Sequence, residues 1–356
     1  MALNSLPAWI DKISSPAQLG GIETAVLDNG LGRGMRVAWV NTGSGLRYKI
    51  VLDRAMDIGE AFYNQFGLTW INHGGMIGPL PLADKGLDWL RAFGGGLLTT
   101  CGLSHVGGPE SDEFGHRGLH GRISNIPAEL ITVMQPDPVA GKLEMSITGR
   151  MREQTIFGPS LELTRTLSSR LGSPTILIED SVFNAGNRPA PHMILYHCNF
   201  GWPLVDEGTE ILWQGEWKPR HEPDRHVIFR EGNNFKKCPA PLDTHGGAGE
   251  EVAFIDLRQD ERGYCRCGLY NEKIGIALSL RFLKKQLPWL TNWQHWGKGE
   301  YVTGLEPGTH PPIGQSQART QQTLINLEPG EVRKYSLEIE VLQGMDKIQE
   351  WLAPLL

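Results

Sequence analysis

The chain has 356 residues, of which 40% are hydrophobic and 21% are charged, a composition typical of globular proteins that excludes wholesale disorder. Its formal net charge is -6, with 34 basic and 40 acidic residues interspersed along the chain. No basic face is visible, so we expect no nucleic-acid partner. The 44 glycines and 23 prolines favour a fold with many turns and few long helices.

No apolar run approaches the roughly 20 residues that span a bilayer, so we expect no membrane partner. The N-terminus lacks the basic and apolar regions of a secretory signal. The five cysteines form an odd and sparse set, which argues against a disulfide framework and favours a cytoplasmic location. We expect Cys265 and Cys267, two positions apart, to be buried structural thiols rather than zinc ligands.

Alternation of hydrophobic and polar residues predicts half-buried antiparallel strands through most of the chain. The clearest predicted strands are residues 22–27, 35–40, 46–52, 142–151, 160–168, 274–282 and 334–341. Turn sequences separate them, such as Gly172-Ser173-Pro174 and Glu328-Pro329-Gly330. Long strands joined by tight turns are typical of a sandwich of antiparallel sheets.

Helical patterns are scarce and confined to short segments. Residues 82–93 predict one short helix, and residues 344–353 predict a second at the C-terminus. Strands and helices do not alternate, which disfavours a doubly wound parallel sheet. We therefore predict an all-β fold in a single domain over residues 1–356, with an N-terminal sheet region at about 1–130 and a C-terminal one at about 131–342.

The alternation disappears between about residues 64 and 126, where glycine, histidine, tryptophan and proline are dense. A compact domain rarely carries so long an irregular segment without a function. We expect this stretch to cover one face or end of the sandwich and to form part of a pocket. Several tryptophans are candidate platforms for a sugar ring: Trp70, Trp202, Trp293 and Trp296.

Several short segments combine glycine with ionisable or polar residues. They are Asp53-Arg54-Ala55-Met56-Asp57-Ile58, Gly95-Gly96-Leu97-Leu98-Thr99-Thr100-Cys101-Gly102-Leu103, Gly118-Leu119-His120-Gly121-Arg122, His197-Cys198-Asn199-Phe200-Gly201 and Gly304-Leu305-Glu306-Pro307. Together they resemble an uncharacterised branch of the aldose 1-epimerase, or galactose mutarotase-like, superfamily over roughly residues 20–342. The resemblance implies a β-supersandwich of two large twisted antiparallel sheets, with few short helices and the sugar site on a concave face.

The resemblance also implies roles for single residues. Glu306 matches the general base of the mutarotases, and His197 matches the general acid. His120, ahead of Gly121, and Arg54 match the residues that contact the sugar. The further substrate-binding candidates are Arg122, His73 and Asn199. The sequence departs from the family pattern at His120-Gly121-Arg122, where His-Gly-Gly is usual, and at Cys198.

The implied chemistry is consistent with these residue types. Exchange of α- and β-anomers requires removal of a proton from the O1 hydroxyl and delivery of one to the ring oxygen O5. The ring then opens, the C1–C2 bond rotates, and the aldehyde recloses from its other face. A carboxylate and a protonated imidazole on opposite sides of the ring suffice, so we expect a small-molecule sugar as the ligand and no cofactor.

Other functions remain open on the sequence alone. His116 and His120 are four positions apart and, with a Glu and a third His, predict a metal-dependent sugar isomerase or epimerase as the first alternative. A non-catalytic carbohydrate-binding protein on the same fold is the second. A third is epimerase or lyase chemistry, in which Glu306 takes a C–H proton from an acidic or keto sugar. The exposed face of a large sheet also allows a homodimer.

Overall fold

Antiparallel strands are the main regular elements of the structure, a computed structural model that describes residues 10–221, 228–230, 232–247 and 249–355. The strands of the N-terminal part are β1 (Gly21–Val26), β2 (Arg36–Asn41), β3 (Leu46–Val51), β4 (Asp57–Tyr63), β5 (Phe66–Gly67), β6 (Thr99–Leu103), β7 (Glu110–Asp112), β8 (Gly115–Arg117) and β9 (Glu129–Met134). Strands β1 to β5 form a five-stranded sheet in chain order, and β7 and β8 form a separate hairpin.

The longer strands follow in the C-terminal part. They are β10 (Glu144–Gln154), β11 (Ser160–Arg170), β12 (Thr175–Asn184), β13 (Ala190–Phe200), β14 (Glu210–Trp213), β15 (Gly215–Pro219), β16 (Glu251–Leu257), β17 (Tyr264–Asn271), β18 (Ile276–Leu283), β19 (Trp289–Gly297), β20 (Glu300–Gly308), β21 (Ile325–Leu327) and β22 (Val332–Gln343). The α-helices are α1 (Trp89–Ala92), α2 (Gly314–Thr320) and α3 (Met345–Leu352).

Two large sheets contain the 15 remaining strands. The eight-stranded sheet has the order β14-β17-β18-β22-β12-β11-β10-β9. The seven-stranded sheet has the order β15-β16-β19-β20-β13-β21, and β6 also pairs with β13. This architecture confirms the predicted all-β sandwich with few short helices. The sequence did not separate the N-terminal strands into a third sheet of their own. The single domain over residues 1–356 stays a prediction.

One hydrophobic core contacts all three larger sheets. It combines Ile50 of the five-stranded sheet, Leu163 and Leu337 of the eight-stranded sheet, and Tyr196 and Leu305 of the seven-stranded sheet, each at most 1% exposed. The alternation that predicts strand β11 is the alternation of buried and half-buried residues in the structure. Burial of these apolar side chains is the main favourable contribution to folding.

The two predicted helices differ in how much of the predicted range is helical. The C-terminal helix is confirmed as α3, which packs Ile348 and Trp351 against the eight-stranded sheet while Met345 remains exposed. The one short helix predicted within residues 82–93 is α1, which covers only Trp89–Ala92. Gly86 has a φ of +49°, a left-handed conformation that interrupts a right-handed helix.

All five cysteines are unpaired and buried, as expected. Cys265 and Cys267 lie two positions apart on β17. Among the described residues, no helix is long and apolar enough to cross a membrane.

A buried ionic network joins the sheets. Arg165, in the apolar phase of β11, is fully buried, and its guanidinium donates to both carboxylate oxygens of Asp180 at 2.9 and 2.7 Å. It also contacts Asp57 at 3.2 Å. Tyr196 of β13 donates a hydrogen bond of 2.8 Å to Asp180. The network therefore links strands β4, β11, β12 and β13 around one cation.

Replacing that cation is expected to destabilise the fold strongly. Arg165→Met leaves two buried carboxylates without a counter-charge, and breaking such a pair costs about 3–5 kcal/mol. Arg170→Met is the matched control, because Arg170 lies at the exposed end of the same strand, where its ion pair with Glu144 is worth about 0–1 kcal/mol. Urea unfolding measures both free energies. Equal losses in the two variants would contradict the assigned role of Arg165.

Candidate functional site

A cavity of about 740 Å³, here called the central cavity, opens on the seven-stranded sheet. Its floor consists of His197 from β13, Thr291 and Trp293 from β19, and Glu306 from β20. More than half of its lining residues lie between Trp70 and His120, within the irregular stretch that the sequence predicted to form part of a pocket. This stretch covers the sheet and closes the cavity on one side.

His197 and Glu306 meet at the bottom of the central cavity. Strands β13 and β20 are antiparallel neighbours, and the register that pairs Cys198 with Leu305 places His197 opposite Glu306. The imidazole Nε2 lies 3.3 Å from the carboxylate Oε1. Both residues are buried, with His197 6% and Glu306 2% exposed. The two residues that the sequence singled out for acid and base chemistry are therefore in direct contact, although 109 positions separate them.

Polar atoms of this pair lack hydrogen-bond partners among the described residues. Both His197 Nδ1 and Glu306 Oε1 are buried and unsatisfied, so the 3.3 Å contact does not have hydrogen-bond geometry. Buried polar atoms without a partner are uncommon in proteins, and binding of a ligand is one reason for them. The pair is thus available to bind and exchange protons with a ligand.

Burial favours the neutral form of both groups. It lowers the pKa of His197 to about 4, an effect that the Asn199 side chain partly opposes. Burial also raises the pKa of Glu306 well above its ordinary value, and the nearby Glu250 carboxylate adds to that rise. Burial therefore favours a pair in which the imidazole is neutral and the carboxyl group holds the proton.

Gly304 leaves the room that the Glu306 carboxylate occupies. The two residues lie two positions apart on β20, so both point to the same face of the sheet. A Cβ added at Gly304 would lie 2.5 Å from Glu306 Oε1 and 3.3 Å from the Trp293 ring. Any larger residue at this position would displace the carboxylate from His197.

His120 projects into the central cavity from a tight turn. Its backbone has a φ of +57°, and its N–H donates to the carbonyl of Gly107 at 2.9 Å. Gly121, which follows with a φ of +71°, passes so close to Gly102 that a Cβ would lie 2.4 Å from that carbonyl oxygen. The turn brings the His120 ring to 6.1 Å from the His197 ring, and its Nδ1 is buried without a partner.

Aromatic rings surround the histidine and form the wall of the central cavity. The His197 ring lies 5.2 Å from Phe93 and 5.4 Å from Trp293, measured between ring centroids. Trp89 stacks on Phe93 at 4.4 Å, and Trp70 contacts Trp293 edge-on at 6.2 Å. Such a wall offers the apolar surfaces that small-molecule sites use, with a few polar groups to fix orientation.

Arg220 and Glu250 add a charged pair at the entrance that the sequence analysis missed. Arg220 Nη2 donates to Glu250 Oε1 at 2.8 Å, and the Trp293 indole N–H donates to Glu250 Oε2 at 2.8 Å. Arg220 follows β15, and Glu250 precedes β16. Neither lies in a motif, so only the pairing of these two strands brings them together.

The predicted substrate-binding residues divide into two groups. His120 and His73 line the central cavity, with His73 largely exposed at the rim and its Nε2 3.7 Å from Glu300. Arg54, Arg122 and Asn199 do not line it.

The side chains of these three residues lie outside the lining of the central cavity and bond to the backbone. Arg54 is 2% exposed and donates to the backbone carbonyls of Ser124 and Ile77, so it holds loops together. Arg122 donates to the carbonyl of Gln154 at 2.8 Å, outside the cavity. The Asn199 amide donates to the carbonyls of Gly96 and His197, which makes it a support for the strand that carries His197.

The remaining candidates also divide. Trp70 and Trp293 line the central cavity. Trp202 lies outside it and is 72% exposed, and Trp296 is fully buried in the core. His116 lies on β8 and bonds to Ser111 rather than pointing into the cavity with His120. Within the described ranges, no three His, Cys, Asp or Glu side chains are grouped as metal ligands.

Comparison with known protein families identifies the family of the chain. Residues 32–341 match the family described as domain of unknown function DUF4432. The chain belongs to this family. No curated protein matches it.

Solved structures share the fold of this DUF4432 protein. One is described as a "putative aldose 1-epimerase" from Klebsiella pneumoniae, with a TM-score of 0.84 and 24% identity over 94% of this chain and 87% of that one. A galactose mutarotase-like protein from Clostridium acetobutylicum has a TM-score of 0.65 and 10% identity over 91% and 98%. Galactose 1-epimerase from Lactobacillus acidophilus has a TM-score of 0.59 and 10% identity over 91% and 99%. The likeness shows that the chain has the same fold as these proteins.

Enlarging Gly304 is expected to separate the central pair without unfolding the chain. In Gly304→Ala the new methyl group displaces the Glu306 carboxylate, so the imidazole signals of His197 shift in a two-dimensional NMR spectrum. Gly108→Ala is the matched control, because Gly108 also lines the cavity but a Cβ there meets no atom within 4 Å. Unchanged His197 signals in Gly304→Ala would show that the glycine does not position the carboxylate.

Proposed function

We propose that this protein interconverts the anomers of a monosaccharide by acid and base catalysis in the central cavity. The observation that carries the proposal is the buried contact of 3.3 Å between His197 Nε2 and Glu306 Oε1, with His197 Nδ1 and Glu306 Oε1 lacking a hydrogen-bond partner among the described residues. The fold shared with proteins described as a "putative aldose 1-epimerase" and a galactose 1-epimerase supports it.

The spacing of the pair dictates how the sugar must lie. A pyranose ring does not fit between groups 3.3 Å apart. Both groups therefore act on the ring from the same side rather than from opposite sides. This suits the reaction, because O1 and O5 are bonded to the same carbon and are therefore close neighbours. One group faces the O1 hydroxyl and the other faces the ring oxygen.

The protonation states that burial favours for the pair match the reaction. Neutral His197 accepts the proton from O1, and protonated Glu306 delivers its proton to O5 as the C1–O5 bond breaks. Ring closure from the other face of the aldehyde reverses both transfers. The resemblance assigned the base to Glu306 and the acid to His197. Burial favours the opposite assignment for the opening step, although each group serves once as acid and once as base in a full cycle.

The remaining cavity residues suit a polyhydroxylated ring. The Trp and Phe rings provide apolar surfaces for the C–H faces of a sugar. The unpaired His120 Nδ1 and the Arg220–Glu250 pair provide donors and acceptors for hydroxyl groups. Substrate orientation is thus assigned to His120, Arg220 and Glu250, and proton transfer to His197 and Glu306.

Removal of either proton-transfer group is expected to abolish most of the catalysed exchange. Glu306→Gln and His197→Asn should each lower kcat by about 10²–10⁴-fold, the usual contribution of a general acid or base. Saturation-transfer NMR on a panel of hexoses, pentoses, deoxy sugars and uronates measures the exchange. His116→Asn is the matched control, because His116 is exposed on β8, outside the cavity. Sugar binding without faster exchange by the wild type would identify a carbohydrate-binding protein instead.

The exchange rate is expected to form a broad plateau with pH. Below about pH 4 the imidazole of His197, whose pKa is lowered to about 4, takes up a proton and no longer accepts one from O1. Above the raised pKa of Glu306 the carboxyl group has no proton to deliver to O5. Values of kcat/KM across pH, corrected for spontaneous exchange, test this profile. An acid limb near the ordinary histidine pKa of about 6.5 would contradict the assignment.

A further inference from the structure

A second cavity, of about 780 Å³, adjoins the central cavity. The two share Arg220, His221 and Pro312 in their walls. The second cavity also contacts Thr309, three residues beyond Glu306 along the strand direction, which corresponds to about 10 Å at roughly 3.3 Å per residue. It therefore lies beyond one end of the site proposed for the sugar.

Among the described residues, the charged side chains that line the second cavity have one sign. Lys218, Arg220, Lys285 and Arg333 all contribute to its wall, whereas none of its described lining residues is Asp or Glu. The chain as a whole carries a net charge of -6, so a concave surface lined by four cations departs from the average of the surface. Cations gathered in a concavity attract anions more strongly than the same charges spread over a convex surface.

Two of these cations have no counter-charge among the residues that the structure describes. Arg220 is bound to Glu250 at 2.8 Å, and Arg333 lies 3.4 Å from Glu331. Lys218 and Lys285 form no ion pair with any described residue, and both side chains are exposed. Their ammonium groups are therefore free to bind a ligand, and ammonium groups are common phosphate binders in proteins.

We propose that the second cavity binds an anionic group, a phosphate or a carboxylate, carried by a sugar whose ring occupies the central cavity. Arg220 lies in both walls and therefore contacts both parts of such a ligand. The position of the ring rests on the proposed function. The anion site itself rests on the four cations and does not depend on any catalysed reaction.

Binding measurements on the full chain test the site independently of activity. Inorganic phosphate is titrated first, followed by a neutral hexose, the hexose 6-phosphate and the hexuronate, each by calorimetry at low salt. Lys218→Met/Lys285→Met is the test variant. Lys347→Met is the matched control, because Lys347 is an exposed lysine on α3, outside both cavities.

Phosphate is expected to bind the wild type and Lys347→Met equally, and the double variant at least about tenfold more weakly. One anionic sugar is expected to bind more tightly than both phosphate and the neutral hexose, and the comparison of the 6-phosphate with the uronate identifies which anion fits. Absence of phosphate binding, or equal binding by the double variant, would overturn the site. Phosphate binding with no gain from either anionic sugar would overturn the anionic sugar as its ligand. Neither result depends on whether anomer exchange is catalysed.

Discussion

The buried cation of Arg165 is the interaction on which the arrangement of the sheets depends. Its guanidinium contacts both Asp180 and Asp57, and Asp180 also accepts a hydrogen bond from the Tyr196 hydroxyl. An unpaired charge in this core would cost several kcal/mol, so the three charged groups are stable only when the strands that carry them have assembled. The network thus favours one relative position of β11, β12 and β13 over others that would bury the same apolar area.

This constraint extends to the candidate site through strand β13. Tyr196 points into the core toward Asp180, and neighbouring side chains of a strand point to opposite faces, so His197 must point away from the core into the central cavity. The pairing of β13 with β20 then brings Glu306 against it. The core satisfies its charges, whereas the pair leaves Glu306 Oε1 without a hydrogen bond. Such local violations of good packing are typical of functional sites.

The sequence predicted the sheets and the central pair but not the ionic network or the entrance of the cavity. The alternation of hydrophobic and polar residues predicted β11 from its leucines. Arg165 lies at one of the buried positions of that alternation, and no local pattern pairs it with Asp57. Glu306 and His197 were found because motifs carry them. Arg220 and Glu250 have no motif, since their proximity arises from the pairing of β15 with β16. Arg54 lies in a motif, but burial directs it to loop carbonyls.

The proton arrangement at the site also suggests which molecules it distinguishes. Burial among aromatic rings favours neutral His197, an acceptor, beside protonated Glu306, a donor. A cyclic hemiacetal offers the complementary arrangement, because its O1 hydroxyl is a donor and its O5 is an acceptor on the same carbon. A glycoside has no O1 proton and would leave the imidazole unsatisfied. A buried polar atom left unpaired costs about 1–3 kcal/mol, so the site as proposed disfavours glycosides before any reaction begins.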